Sequence, residues 1–439
     1  MEKAFIFYQH QKIYFEIPPK WKVLTFAQFN DYSTRRNVRD LTKNALKNPI
    51  HSRSLKDSLS PSDRIAIIVE DLTRPSPKKL ILEALMEELD HLSVHRENIS
   101  VIISVGTHRG LTAAELETTF GRELLEQYEF VNHDCYASDL VPIGKLKTGR
   151  EVKINRKVYE ATFRIGIGSI FPHPMNGFGG GGKILFPGVA DFDAIQEHHF
   201  KYTFQEGTGL GKMKGNSFYE EVCAIAHLAN LNYVINNILD QKDQAYDLVS
   251  GDPVYAHLAG IELSKAIISQ KFSRKADLTI ITSFPYAEGP QIVKPLVPAS
   301  MVTKEGGCII LAADCMGNFP DEFIKSFENF HSKYGHNLLE GVVEHFENNR
   351  LIMEGGAIDF NMALGLTLAL QHRFKIILVS KDIPRISGEK MGFLYADDLE
   401  QAFGLSEATC SSKPEVHIIP SGGVILPVVE TNNHSCISG

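Results

Sequence analysis

Three short apolar runs, IAIIV at residues 65–69, VIISV at 101–105 and RIGIGS at 164–169, each stop abruptly at a polar turn. Runs this short and this rich in Ile and Val match strands covered on both faces of a sheet. After the first, DLTRPSP reads as a turn, and Ile81, Leu85 and Leu89 then recur at the spacing of a helix face. After the second comes GTHRGL, followed by Thr112 and Glu115, a T-x-x-E capping box that opens another helix. Strand, turn and helix in repetition predict α/β layers built on a parallel or mixed sheet flanked by helices. Ligands of such sheets bind at the carboxyl ends of the strands, so the three turns are expected to share one crevice.

From about residue 273 the alternation starts again, with strands expected at 278–282, 308–311 and 375–379 and a final one at 416–420. A chain of 439 residues exceeds one comfortable core. Two domains are expected: 1–272, which 416–439 could complete, and 273–415. Cys135, Cys223, Cys308, Cys315, Cys410 and Cys436 lie far apart with no C-x-x-C pair, which suggests reduced thiols. The opening MEKAFIFYQHQKIYFEIP reads as short strands broken by charge, unlike a signal peptide. No apolar run approaches the roughly 18 to 20 residues of a membrane span. The expectation is a cytoplasmic protein with no membrane partner. A net charge of −8 spread along the chain argues against nucleic acid. It leaves room for an anionic small molecule, for which one local cationic pocket suffices.

The stretch FPHPMNGFGGGGKILFPG, residues 171–188, concentrates the chemistry. Residues 177–183 satisfy G-x-x-x-x-G-K, but Ile184 stands where a phosphate-binding P-loop needs Ser or Thr for Mg²⁺, which counts against a phosphotransferase. Glycines let backbone N–H groups approach an anion, and Lys183 adds a point charge or an amine nucleophile. Pro172 and Pro174 restrain the backbone on either side of His173. His108 occupies another strand-end turn, well placed for proton transfer. In the Asp71-Leu72-Thr73-Arg74 turn the guanidinium can hold a carboxylate or phosphate bidentately. His198 and His199 are adjacent, so on a helix they point about 100° apart and one of them can enter a given site. A lone imidazole needs further donors to hold a metal. Two bases on opposite faces of one carbon are the minimum for inverting a stereocentre. The residues by themselves do not reveal what activates that carbon.

DLTRP at 71–75, GTHR-x-x-T, NHD at 132–134, HPMNGFGGGGK-x-x-x-PGV and the I-x-x-x-H that ends at His199 together resemble the nickel-dependent lactate racemase family. The similarity runs over nearly the whole chain and is densest between Asp71 and His199. It implies an active site in a cleft between two domains. It also implies nickel held in a pincer cofactor, a pyridinium-3,5-bisthiocarboxylic acid mononucleotide whose two sulfurs and one ring carbon bind the metal. His199 would complete the coordination, and Lys183 would be attached or adjacent to the thioamide. Asp71, Thr73, Gly179, Gly180, Gly181 and Gly182 would cradle the cofactor. His108 and His173 would be the catalytic acid/base pair, with Arg74, Gln291 and Lys294 facing the substrate.

The implied activity is racemisation or epimerisation of a lactate-like 2-hydroxy acid by hydride transfer to and from the cofactor. The implied cellular partners are the enzymes that make that cofactor; the oligomeric state is left open. In SFPYAEGPQIVK, Gln291 and Lys294 match the family, whereas Pro290 replaces its tyrosine and Ser283-Phe284 replace a glycine and its neighbour. A later family tryptophan is also missing, Trp21 being the single Trp. This altered wall points to a 2-hydroxy acid other than lactate. A cofactor-dependent oxidoreductase releasing a keto acid is the alternative within the same chemistry. A non-catalytic nucleotide- or metal-binding protein is the alternative outside it, and a pure binder would have no need of two bases.

Overall fold

The structure is a computed structural model that describes residues 3–27, 37–74, 76–240, 242, 244–317 and 319–430. Pro75 of the DLTRP motif and residues 431–439 of the expected closing segment lie outside the described residues.

The first apolar run forms the strand Ile65–Glu70, in which all six residues are buried. It sits between Phe163–Ile170 and Ile99–Ser104, parallel to both. The three expected strands are therefore neighbours, and their carboxyl ends open onto one crevice. The full order of this sheet is Ala245–Gly251, Tyr233–Leu239, Phe163–Ile170, Ile65–Glu70, Ile99–Ser104, Glu129–Asn132, with Ala245–Gly251 antiparallel. Helix Lys78–His91 packs on this sheet through Ile81, Leu85 and Leu89, each fully buried. Helix Ala113–Phe120 begins at the expected capping box, with Thr112 and Glu115 bonded reciprocally. Side chains on both faces of a parallel sheet must be covered, which is why these strands read as unbroken apolar runs.

A second six-stranded sheet is wholly parallel, in the order Leu394–Ala396, Lys375–Val379, Thr303–Ala312, Ala276–Thr282, Glu415–Ile419, Lys22–Phe26. The expected division into 1–272 and 273–415 does not describe this sheet. Lys22–Phe26, from the start of the chain, forms its edge beside Glu415–Ile419. Glu415–Ile419 is itself interior, with Val416, Ile418 and Ile419 fully buried, so it cannot serve the first sheet. Only the last described strand, Leu426–Val429, returns toward the earlier residues and pairs with Ser269–Phe272. Such sorting depends on which sheet has an unpaired edge, and local composition carries no record of that. Among the described residues no helix is long and apolar enough to cross a membrane.

Candidate active site

The carboxyl ends of the first sheet's strands carry Asp71–Arg74, Val105–His108 and the segment from Phe171 to Gly188, and all three line one cleft. The cleft encloses about 1180 Å³ of empty space including its mouth. Its opposite wall comes from the second half of the chain: Pro290, Gln291, Val293 and Lys294, and helix Ile358–Gln371 through Asp359 and Met362. The two halves are tied at the rim, where the Ile358 N–H donates to Thr107 Oγ1 at 3.1 Å.

His108 lies with Nδ1 2.5 Å from Asp71 Oδ2. A carboxylate accepts, so Nδ1 carries a proton and Nε2 is left for the cleft. Asp71 Oδ1 receives the N–H and hydroxyl of Thr73 at 3.1 and 2.5 Å. Lys78, the first residue of its helix, caps the back of this turn by donating to the Asp71 and Arg74 carbonyls. Burial opposes the charge on Asp71, yet His108, Arg74 and the Thr73 hydroxyl hold its carboxyl below the usual carboxylate range. Burial likewise opposes charge on His108, and Asp359 and Asp71 overcome it, raising its pKa above 6.5.

His173 is buried and fixed in a two-residue ladder with Gly177 and Phe178. Its Nδ1 accepts the N–H groups of Met175 and Asn176 at 3.2 and 3.0 Å. The neutral ring therefore carries its proton on Nε2. Burial and the nearby Lys183, Lys294 and Arg74 charges press its pKa well below 6.5. The two rings expected as an acid/base pair thus sit in unlike surroundings. His108 is an imidazole backed by a carboxylate, and His173 is a clamped neutral ring that accepts at Nδ1 and keeps its proton on Nε2.

The glycine run also departs from a simple anion cradle. Gly179 and Gly180 line the cleft, but Gly181 and Gly182 do not. The Gly179 and Gly181 N–H groups are committed to Phe171 O and Asn236 Oδ1. A Cβ on Gly182 would lie 2.8 Å from Ala226 Cβ, so close packing on the helix Ser217–Leu228 accounts for that glycine. Gly180 has φ +83°, where L side chains are strained. His257, unremarkable in sequence, donates from Nε2 to Gly179 O at 2.7 Å and so holds the loop from below. Asn236, which also anchors it, shows in sequence only as an amide inside the apolar strand YVINNIL.

Lys183 reaches the cleft, and burial with the Arg74 charge lowers its pKa to about 7. His199 also faces it, on helix Phe192–Tyr202. Its Nδ1 donates to Ile195 O at 2.9 Å, so Nε2 presents a lone pair, and burial keeps the ring neutral. His198 turns the other way and bonds Phe218 O. His133 of the NHD motif bonds Ala190 O behind the site. Of the expected substrate wall, Pro290, Gln291 and Lys294 line the cleft. Ser283 and Phe284 do not: Ser283 donates to Asp314, and Phe284 stacks on Phe7.

Residues 8–211 match the family model described as the lactate racemase N-terminal domain. A lactate racemase of Lactiplantibacillus plantarum is 30% identical over 292 residues, which cover 65% of this chain and 68% of that protein. The chain belongs to the lactate racemase family. Another member, from Thermoanaerobacterium thermosaccharolyticum, is 27% identical over 426 residues, 95% of this chain and 97% of its own. The solved structure of that lactate racemase apoprotein superposes with a TM-score of 0.86 at 26% identity, covering 97% of this chain and 100% of the other. A Thermotoga maritima protein shares the fold at a TM-score of 0.66 and 18% identity, with 92% of this chain and 100% of that one covered. Within the family fold, the cleft between the two sheets is where His108, His173, Lys183 and His199 meet.

Proposed function

We propose that this protein is an isomerase that inverts the C2 stereocentre of a lactate-like 2-hydroxy acid, using a nickel pincer mononucleotide. The observation that carries the reading is the Asp71-backed His108 lining the same cleft as His173, Lys183 and His199. The kinship with lactate racemases supplies the reaction class.

The residues fit such a cofactor. His199 offers one neutral imidazole nitrogen with its tautomer fixed by a backbone carbonyl, as metal-ligating histidines usually are. Among the described residues no group of three His, Cys, Asp or Glu side chains could hold a metal alone, so His199 would need ligands that arrive with the cofactor. Lys183, with its pKa near 7, offers an amine able to react with or bond a thioacyl group. Thr73, Gly179 and Gly180 line the cleft where the ring and phosphate would lie, and Asp71 would act there through His108. When bound, the group supplies a hydride acceptor and donor beside C2.

The chain's own residues do the rest. Arg74 lies over the Phe171 ring, 5.1 Å from its centroid, and is available to the substrate carboxylate together with Lys294. His108 takes and returns the hydroxyl proton at Nε2, while Asp71 fixes its ring and stabilises its charged form. His173 presents its Nε2–H to the substrate oxygen. The apolar helix Ile358–Gln371 closes the far wall and limits water.

The test is nickel stoichiometry on protein co-expressed with cofactor-synthesis enzymes, joined to a chiral assay over a panel of 2-hydroxy acids. Nickel bound near one per chain, lost in His199→Ala, with an inverted acid, is the expected result. Absence of nickel under those conditions would overturn the cofactor assignment.

A further inference from the structure

Among the described residues three carboxylates line the cleft: Glu70, Asp71 and Asp359. Two already have a hydrogen-bond partner on each oxygen. Glu70 receives the Ser169 N–H and hydroxyl, one on each oxygen. Asp71 is held by Thr73 and His108. Asp359 differs: its Oδ1 is buried with no hydrogen-bond partner. Its Oδ2 lies 3.6 Å from His108 Nε2, the nitrogen left to meet the substrate hydroxyl. The placement is set by the fold, because the preceding residue, Ile358, is bonded to Thr107 next to His108. An acid in a helix's first turn gains from the dipole, but that gain needs no oxygen buried beside the reacting base. Gln291, across the same wall, also has a buried Oε1 without a partner.

An unpaired buried acceptor is costly, and a site built around one discriminates against ligands that lack the matching donor. Lactate has a methyl group at C3 and donates nothing there. We infer that Asp359 is a specificity-determining residue that accepts a hydrogen bond from a hydroxyl on C3, so that the preferred substrate is a 2,3-dihydroxy acid. The inference rests on the racemase reading above. An ammonium at C3 would meet the same acceptor, but this cleft disfavours added positive charge: burial, Arg74 and Lys183 already press the Lys294 pKa well below its ordinary value. A hydroxyl satisfies Asp359 without adding to that repulsion. Gln291 Oε1 is a second acceptor, available to a further hydroxyl along the chain.

Glyceric acid and lactic acid differ by this one hydroxyl, so the holoenzyme can be assayed for inversion of each. Wild type is expected to favour glyceric acid in kcat/KM by about 10-fold or more, the scale set by an unmatched buried acceptor. The ratio should collapse toward one in Asp359→Leu and fall part-way in Asp359→Asn, which keeps the size and a weaker acceptor. Calorimetric titration of both acids onto the same proteins reads the preference without turnover. An equal or reversed preference that is unchanged in both variants would overturn the inference while leaving the racemase reading standing. Nickel-loaded protein that inverts no acid would overturn both.

Discussion

His108 Nδ1 and Asp71 Oδ2 stand 2.5 Å apart across the ends of two neighbouring parallel strands. The contact exists because the turns after Ile65–Glu70 and Ile99–Ser104 leave the sheet side by side. It fixes which nitrogen of His108 is free. In Asp71→Asn that control is lost, since an amide can donate to Nδ1 and impose the wrong tautomer. Turnover should fall by about 10²–10⁴-fold with the fold intact, read by steady-state inversion rates and circular dichroism.

The pH profile has a definite sign. Taking up the hydroxyl proton needs neutral His108, and Asp359 and Asp71 hold its pKa above 6.5 against the effect of burial. The rate should therefore climb with pH through a midpoint above 6.5. Removing a raising charge in Asp359→Asn should move the midpoint down. Stability has the opposite slope: the His108 pairing contributes fully below pH 6.5 and is lost as pH rises through the raised folded value. Thermal melts of wild type and His108→Gln across that window give the check.

His173 should tolerate a donor that cannot titrate. With Nδ1 clamped by the Met175 and Asn176 N–H groups, the ring's contribution is its Nε2–H. His173→Gln, whose amide can present an N–H, should retain about 10-fold or more activity relative to His173→Ala. At position 108 the same pair should be equally poor. Equal losses for Gln and Ala at 173 would show that it exchanges a proton after all.

Lys183 should stand out chemically without any cofactor. Burial and the Arg74 charge lower its pKa to about 7, against an ordinary 10.5. Acylation of the apoprotein followed by peptide mass spectrometry should show Lys183 reacting with a midpoint near pH 7. Arg74→Ala removes one lowering charge and should move that midpoint upward.

The support beneath the glycine loop should be measurable as stability. His257→Ala leaves the Gly179 carbonyl without its donor and opens a void under Gly181, whose Cα region packs on the imidazole. A loss of about 2–4 kcal/mol is expected in urea unfolding. Gly188→Ala should be worse tolerated, because its Cβ would sit 1.9 Å from Ser104 Oγ and 2.1 Å from the Ile184 carbonyl.

Much of this was written locally in the chain. Buried strands in parallel sheets must be apolar throughout, so IAIIV and VIISV declare themselves, and the Thr112–Glu115 box marks its helix by chemistry confined to four residues. The family motifs likewise mark His108, His173, Lys183 and His199, which the fold brings to one cleft. What sequence could not fix is set by contacts between distant segments. The edge vacancy beside Glu415–Ile419 decides that Lys22–Phe26 joins the second sheet. Two backbone N–H groups decide that His173 keeps its proton on Nε2, Asn236 ties down the Gly181 N–H, and the Ala226 helix packs against Gly182. Asp359 is 251 residues from His108, and nothing in its own neighbourhood marks it as more than a helix-opening acid. Periodicity and motif chemistry are local and survive in one dimension. Tautomers, saturated acceptors and edge pairing are properties of neighbours, and only the folded chain supplies those.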